Sequence, residues 1–127
     1  MFGRVWKWAG RYRKEDRNIG VDWPQISSEV EKLRETVNSW MENETYPPEE
    51  IAIRFHHKLV WVHCFPNGNG RHARLGADLL IVQLQGERFT WGGASLEAAS
   101  KVRSRYLESL RKADEHNYDA LMRFARS

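Results

Sequence analysis

A single cysteine, Cys64, stands in the 127 residues. It excludes an intramolecular disulfide and a cysteine-built zinc cluster. It agrees with a reducing compartment, and a cytoplasmic location is the expectation. No apolar run approaches the roughly 20 residues of a membrane span, so no membrane partner is expected. The opening Phe2-Gly3-Arg4-Val5-Trp6-Lys7-Trp8 lacks the apolar stretch of a leader peptide. Strong charge of one sign is missing as well: 20 Lys and Arg against 17 Asp and Glu leave +3. The surplus is spread along the chain, whereas a nucleic-acid binder gathers its cations on one face. Direct nucleic-acid binding is therefore not expected, and an anionic ligand meets no repulsion. With no repeat, linker or low-complexity tract, residues 1–127 read as one domain.

Aromatic residues make up 12% and hydrophobic residues 41% of the chain, too much for a disordered one. The first residues already look like folded, aromatic sequence, and an element preceding them is expected. Arg11-Tyr12-Arg13 and Asn18-Ile19-Gly20-Val21 flank the polar Lys14-Glu15-Asp16-Arg17 and predict a small hairpin, ended by Trp23-Pro24. Ser28 and Glu31 have capping-box spacing, and Val30, Leu33, Val37, Trp40 and Met41 follow at helical intervals. A second helix is predicted from about Pro48 to His63, with Ile51, Phe55, Leu59 and Val62 on one face. A third runs from about Gly70 to Gln85, with Leu75, Leu79 and Val82 as its apolar face and Gly86 as its C-cap. Gly92-Gly93 and Ser95 open a fourth, carrying Ala99, Val102, Tyr106 and Leu110, and a short fifth carries Tyr118, Leu121 and Met122. The sum is a mainly α bundle of about five helices with a small β-hairpin near the N-terminus.

The chemistry concentrates in His63-Cys64-Phe65-Pro66-Asn67-Gly68-Asn69-Gly70-Arg71-His72-Ala73-Arg74. One helix ends at His63, a loop of glycines and asparagines follows, and another helix begins near Gly70. Such a loop can turn its N–H groups into an anion-binding nest, and the helix start adds partial positive charge. A phosphate is the obvious guest. Arg71 and Arg74, three apart, share a face and can reach one anion. His63 at the rim has a pKa suited to proton transfer. Each part has a plainer reading: the loop as a turn, the arginines as a solvated face with Arg74 paired to Asp78, His63 as a core histidine. Their conjunction within 12 residues favours the phosphate site.

This stretch resembles the signature of the Fic family, His-Pro-Phe-x-(Asp/Glu)-Gly-Asn-Gly-Arg-x-x-Arg, matching at His63, Phe65, Gly68, Asn69, Gly70, Arg71 and Arg74. Trp8 to Arg13 with Asn18-Ile19 resembles the family's flap hairpin, and Tyr106-Leu107-Glu108-Ser109-Leu110 its late helix. Tyr46-Pro47-Pro48, Arg54-Phe55-His56-His57 and Arg88-Phe89-Thr90-Trp91-Gly92 are closest in wording to the subgroup called mobile mystery protein B. The resemblance implies a Fic-like helical bundle that transfers AMP from ATP to a Ser, Thr or Tyr hydroxyl of a target protein. By position, His63 would take the hydroxyl proton. Gly68, Asn69 and Gly70 would hold phosphate oxygens, Arg71 would neutralise the β/γ end, and Arg74 would support the loop or a phosphate. The flap, with Arg13, Asn18, Ile19, Gly20 and Val21, would pair with an extended target segment. Trp91 and Tyr106 are candidates to line the adenine. The implied partners are ATP with Mg²⁺ or Mn²⁺, a protein target, an inhibitory segment or antitoxin as in bacterial toxin–antitoxin pairs, and a second copy of the chain.

Two positions depart from the pattern. Cys64 replaces the usual Pro and reads as a small inert substitute. Asn67 stands where most members carry the Asp or Glu that holds Mg²⁺, and an amide oxygen is a weaker ligand for a hard cation. That opens two alternatives: phosphoryl transfer with ATP bound in reverse, as in the Doc-like branch, or a nucleotide-binding module without turnover. His56 and His57 lack the carboxylates of a metal site. His72 lies beside the arginines, within reach of a phosphate or target. Ser27 and Glu31 have the spacing of the family's inhibitory helix, but Lys32 follows, and the capping box accounts better for Ser28 and Glu31.

Overall fold

The computed structural model describes Lys14 and residues 20–62, 69–93 and 95–127. Most of the expected hairpin, including Arg13, Asn18 and Ile19, lies outside the described residues. The described residues form five α-helices: α1 (Ile26–Glu42), α2 (Pro48–Val62), α3 (Asn69–Gln83), α4 (Ala99–Asp114) and α5 (Asp119–Arg126), with a 3₁₀ turn at Trp23–Gln25 before them. The mainly α expectation holds.

The centre of the bundle is α2. It buries Ile51, Ala52, Ile53, Phe55, His56, Leu59 and Val62, too many sides for a surface helix. It packs against α1, α3 and α5, and α4 packs along α5. The stripe of α1 is as its spacing predicts: Ile26, Val30, Leu33 and Val37 are buried, with Trp40 and Met41 half-buried beside them.

Helix α3 turns a different face inward from the one its large apolar residues suggest. Ala73, Gly76, Ala77, Asp78, Leu80 and Ile81 are buried, whereas Leu75 and Val82 are exposed. The small residues let α3 lie close against α2, and that close approach outweighs the area the outward leucine and valine would bury.

Helix starts also depart from expectation. Pro24 sits in the first turn of the 3₁₀ helix, where its missing N–H costs nothing, and the extended residue is Asp22 rather than Trp23. Gln25 and Ile26 already bond the Asp22 and Trp23 carbonyls, so the capping box at Ser28 and Glu31 is not formed. Ser28 Oγ donates to the Gln25 carbonyl at 3.0 Å, and Glu31 pairs with Arg34. Helix α4 begins at Ala99 rather than at the glycines, because Gly92 (φ +79) and the Gly93 N–H to Thr90 bond close a turn there.

Three helices end alike. The N–H of Thr45, Gly86 and Asn117 reaches back to the carbonyl of Trp40, Ile81 and Lys112 at 3.0, 2.8 and 3.0 Å. The residue before each is left-handed: Glu44 (φ 50), Gln85 (φ 69) and His116 (φ 67). The positive φ expected of Gly86 therefore belongs to Gln85. Gly86 is bare for another reason: a Cβ there would lie 2.8 Å from Ile81 Cγ1.

Candidate functional site

Helices α2 and α3 pack together, with Val62 ending α2 before the motif and Asn69 opening α3 within it. His63, Asn67 and Gly68 lie outside the described residues. Val21 donates its N–H to the Val62 carbonyl at 3.4 Å, so Gly20-Val21, the end of the expected flap, sits against the end of α2 that leads into the motif. Asn69 and Gly70 open α3, and no acid occupies its first turn. Asn69 is buried, Gly70 and Arg74 are half-buried, and Arg71 is exposed. The helix thus begins with Arg71 in its first turn, Arg74 just beyond it and no acid in that turn, a positive end.

Arg74 does not pair with Asp78. Its guanidinium Cζ lies 5.3 Å from the centre of the Tyr106 ring. Its Nη1 comes within 3.2 Å of where a Cβ on Gly70 would stand, with the Tyr106 hydroxyl at 3.9 Å from the same point. Any side chain at Gly70 would press on Arg74. Behind Tyr106 lies His56, wholly buried, with Nε2 2.9 Å from the Tyr106 oxygen. Burial drives the His56 pKa down to about 3, with Arg74 and His57 acting in the same direction. The ring is neutral. Nε2 and the Tyr106 hydroxyl share a hydrogen bond, while Nδ1 is buried without a partner among the described residues. Burial pushes the Tyr106 phenol up, opposed by Arg74 and Arg103.

In front of Tyr106 opens a cleft of about 450 Å³, whose lining includes Arg74, Trp91, Gly92, Glu97, Arg103 and Tyr106. Tyr106 is its floor and exposes only 9% of its surface. Trp91 is a wall, held in a left-handed backbone (φ 51) and stacked on His56 with centroids 4.6 Å apart. Its indole Nε1 donates to Asp78 Oδ1 at 3.1 Å, and the same oxygen accepts the Phe89 N–H at 3.1 Å. The N–H groups of Thr90 and Trp91 both reach the Ala125 carbonyl, at 2.8 and 2.9 Å, which fastens this wall to α5. A Cβ on Gly92 would meet Val102 Cγ1 at 2.8 Å. Sequence reasoning missed Asp78 as the anchor of the wall. The signal was an acid within the buried stripe of α3.

The other candidates separate from this cleft. His57 Nε2 bonds Asp114 Oδ1 at 2.7 Å. The half-buried His72 is pulled down in pKa by burial first and then by Arg71. Among the described residues no group of three His, Cys, Asp or Glu can hold a metal ion. A larger groove, about 660 Å³, is lined by Trp40, His57, Lys58 and Trp61 among others and carries none of the described motif residues. Its charges are already engaged: Lys32 with Glu29, His57 with Asp114, and Lys58 over the Trp61 ring.

The sequence model of the Fic/DOC family matches residues 1–81. The protein adenylyltransferase Fic of Nematostella vectensis is 35% identical over 78 residues, 59% of this chain and 18% of that protein. A probable protein adenylyltransferase of Aquifex aeolicus is 32% identical over 107 residues, 82% of this chain and 31% of its own. Among solved structures, a Fic-1 fragment from C. elegans superposes with a TM-score of 0.70 at 26% identity, covering 93% of this chain and 33% of that one. The chain spans no more than a third of the length of these relatives.

Proposed function

The chain belongs to the Fic/DOC family, and from that premise we propose that it is a protein adenylyltransferase, moving AMP from ATP to a Ser, Thr or Tyr hydroxyl of a target protein. The observation that carries this reading is the start of α3. Asn69 and Gly70 open it without an acid, and Arg74 is held over its first turn beside an aromatic cleft. Relatives bearing the adenylyltransferase name support it.

In this mechanism the polyphosphate lies on the N–H groups of Gly68, Asn69 and Gly70, with Arg71 and Arg74 neutralising its distal charge. Trp91 and the Tyr106 floor take the adenine. His63 takes the proton of the target hydroxyl, whose oxygen attacks the α-phosphorus while pyrophosphate leaves. The flap ending at Gly20-Val21 holds the target as an added strand. The described residues hold no carboxylate cluster for a divalent cation; Mg²⁺ or Mn²⁺ would be held by the nucleotide's phosphates, with the Asn67 amide as the chain's candidate ligand, and would neutralise polyphosphate charge. Control would fall to an inhibitory segment or an antitoxin-like partner, with the cytoplasm as the setting and a homodimer as a further assembly to test.

Asn67 favours one second reading, Doc-like transfer of the γ-phosphoryl group. Incubation with α-labelled or γ-labelled ATP, Mg²⁺ and a cell lysate separates the two. Protein label from the α position alone is the expected result, lost in His63→Ala. Label from γ alone establishes the second reading, and ATP binding without label removes both.

A further inference from the structure

We propose that Tyr106, clamped by the buried His56, is a positioning residue that holds the Arg74 guanidinium over the first turn of α3 and thereby sets the affinity of that turn for a polyphosphate. The proposal rests on reading this turn as a phosphate cradle. Three elements meet here: α2 supplies His56, α4 supplies Tyr106 and α3 supplies Arg74. An unrestrained arginine loses much rotamer freedom when it takes an anion, so one held beforehand binds more tightly. The Tyr106 ring gives Arg74 a face to lie on, 5.3 Å from Cζ. Its hydroxyl lies 2.9 Å from His56 Nε2, and we assign the neutral ring the tautomer in which Nε2 accepts the phenol proton. The phenol oxygen therefore presents only acceptor lone pairs to its surroundings, a suitable match for a guanidinium that has no acceptor. Arg74 Nη1 and the Tyr106 oxygen converge on Gly70, 3.2 and 3.9 Å from where its Cβ would be, so the absence of a side chain there makes room for them above the helix start.

The polar pair is not explained by packing alone. His56 is wholly buried and keeps Nδ1 short of a full partner, an expense that an apolar residue of similar size would avoid. What the imidazole adds is direction: it fixes which way the Tyr106 hydroxyl points, and through it the side on which Arg74 rests.

The test uses the whole chain with inorganic tripolyphosphate and with Mg·ATP. Tyr106→Phe keeps the ring and removes the hydroxyl. It should weaken tripolyphosphate binding and raise KM for ATP by roughly two- to tenfold, the effect of one hydrogen bond, while kcat stays within about twofold. His56→Leu should do the same. His56→Gln, whose amide oxygen can accept at the Nε2 position, should restore binding. In an Arg74→Ala background Tyr106→Phe should add nothing, because its effect passes through Arg74. The Arg74 Nε–H resonance, assigned by its loss in Arg74→Ala, should lose its dispersion in Tyr106→Phe. Equal weakening with and without Arg74, or an unmoved Arg74 resonance, overturns the proposal. If the unaltered chain takes no tripolyphosphate, the phosphate reading and the affinity half of the proposal fall together, and the resonance still decides whether Tyr106 holds Arg74.

Discussion

His56 is neutral because it is buried, and acid therefore works against the fold. Its pKa is about 3 in the folded chain against 6.5 when exposed. Between those values the unfolded chain takes up a proton that the folded chain refuses. Stability therefore falls as pH drops below 6.5, by about 1.4 kcal/mol per unit from this group, and levels off near pH 3. His72, also lowered, adds in the same direction. Urea unfolding at pH 7 and pH 5 should differ by about 2 kcal/mol, and His56→Gln should flatten most of that slope. A profile that is flat over this range would contradict the buried, neutral assignment. How far such residues are legible beforehand depends on where their partners are. Arg71 and Arg74 were visible as candidates because the motif packs its chemistry into 12 consecutive residues. His56 was visible only as a doubtful metal ligand, because its partner Tyr106 stands 50 residues away. Asp78 pointed locally to Arg74 at i+4, but it engages Phe89 and Trp91 across a turn that no spacing rule foresees.

Helices were legible wherever large apolar residues recur on one face, as on α1 and α2. The rule failed on α3, where Ala73, Gly76 and Ala77 are buried and the larger Leu75 and Val82 stay outside. Close approach between helices favours small side chains, and hydrophobicity counts are blind to that. Helix ends were read less well, because the cap needs a left-handed residue and this chain places Glu44, Gln85 and His116 there instead of glycine. Each non-glycine left-handed residue carries roughly 1 kcal/mol of backbone strain. Gln85 is exposed, so its side chain has little packing with which to offset this. Gln85→Gly should therefore stabilise the chain by about 0.5–1 kcal/mol, offset in part by the greater freedom of glycine when unfolded. Differential scanning calorimetry should record a melting point a few degrees higher; a lower one would mean that the Gln85 side chain contributes more than its exposure implies. Moving the same freedom one residue on does not help, since Gly86 is required by contact with Ile81 rather than by φ.

The bundle as a whole converts packing into a fixed charge arrangement. Central α2 sets where α3 begins, α4 brings Tyr106 under Arg74, and α5 holds the wall that carries Trp91. The cleft and the helix start are thus supplied by elements far apart in the chain, and a ligand spanning both should tighten all of them together. ATP at about one hundred times its dissociation constant adds about 2.7 kcal/mol to the folded state, roughly ten degrees of melting temperature for a chain of this size. On the proposed reading, AMP would fill the Trp91 side of the cleft but lack the distal phosphates assigned to Arg71 and Arg74, so at equal concentration its shift should be much smaller. Salt should erode the ATP shift more than the AMP shift, because the lost part is charge attraction at an exposed arginine. His63→Ala should leave the ATP shift in place, since the role proposed for His63 is proton transfer and not holding the nucleotide. Thermal unfolding followed by circular dichroism, with ATP, AMP and added salt, measures all three. An AMP shift equal to that of ATP would mean that the arginine pair does not read the distal phosphates, and the start of α3 would then be a helix cap and nothing more.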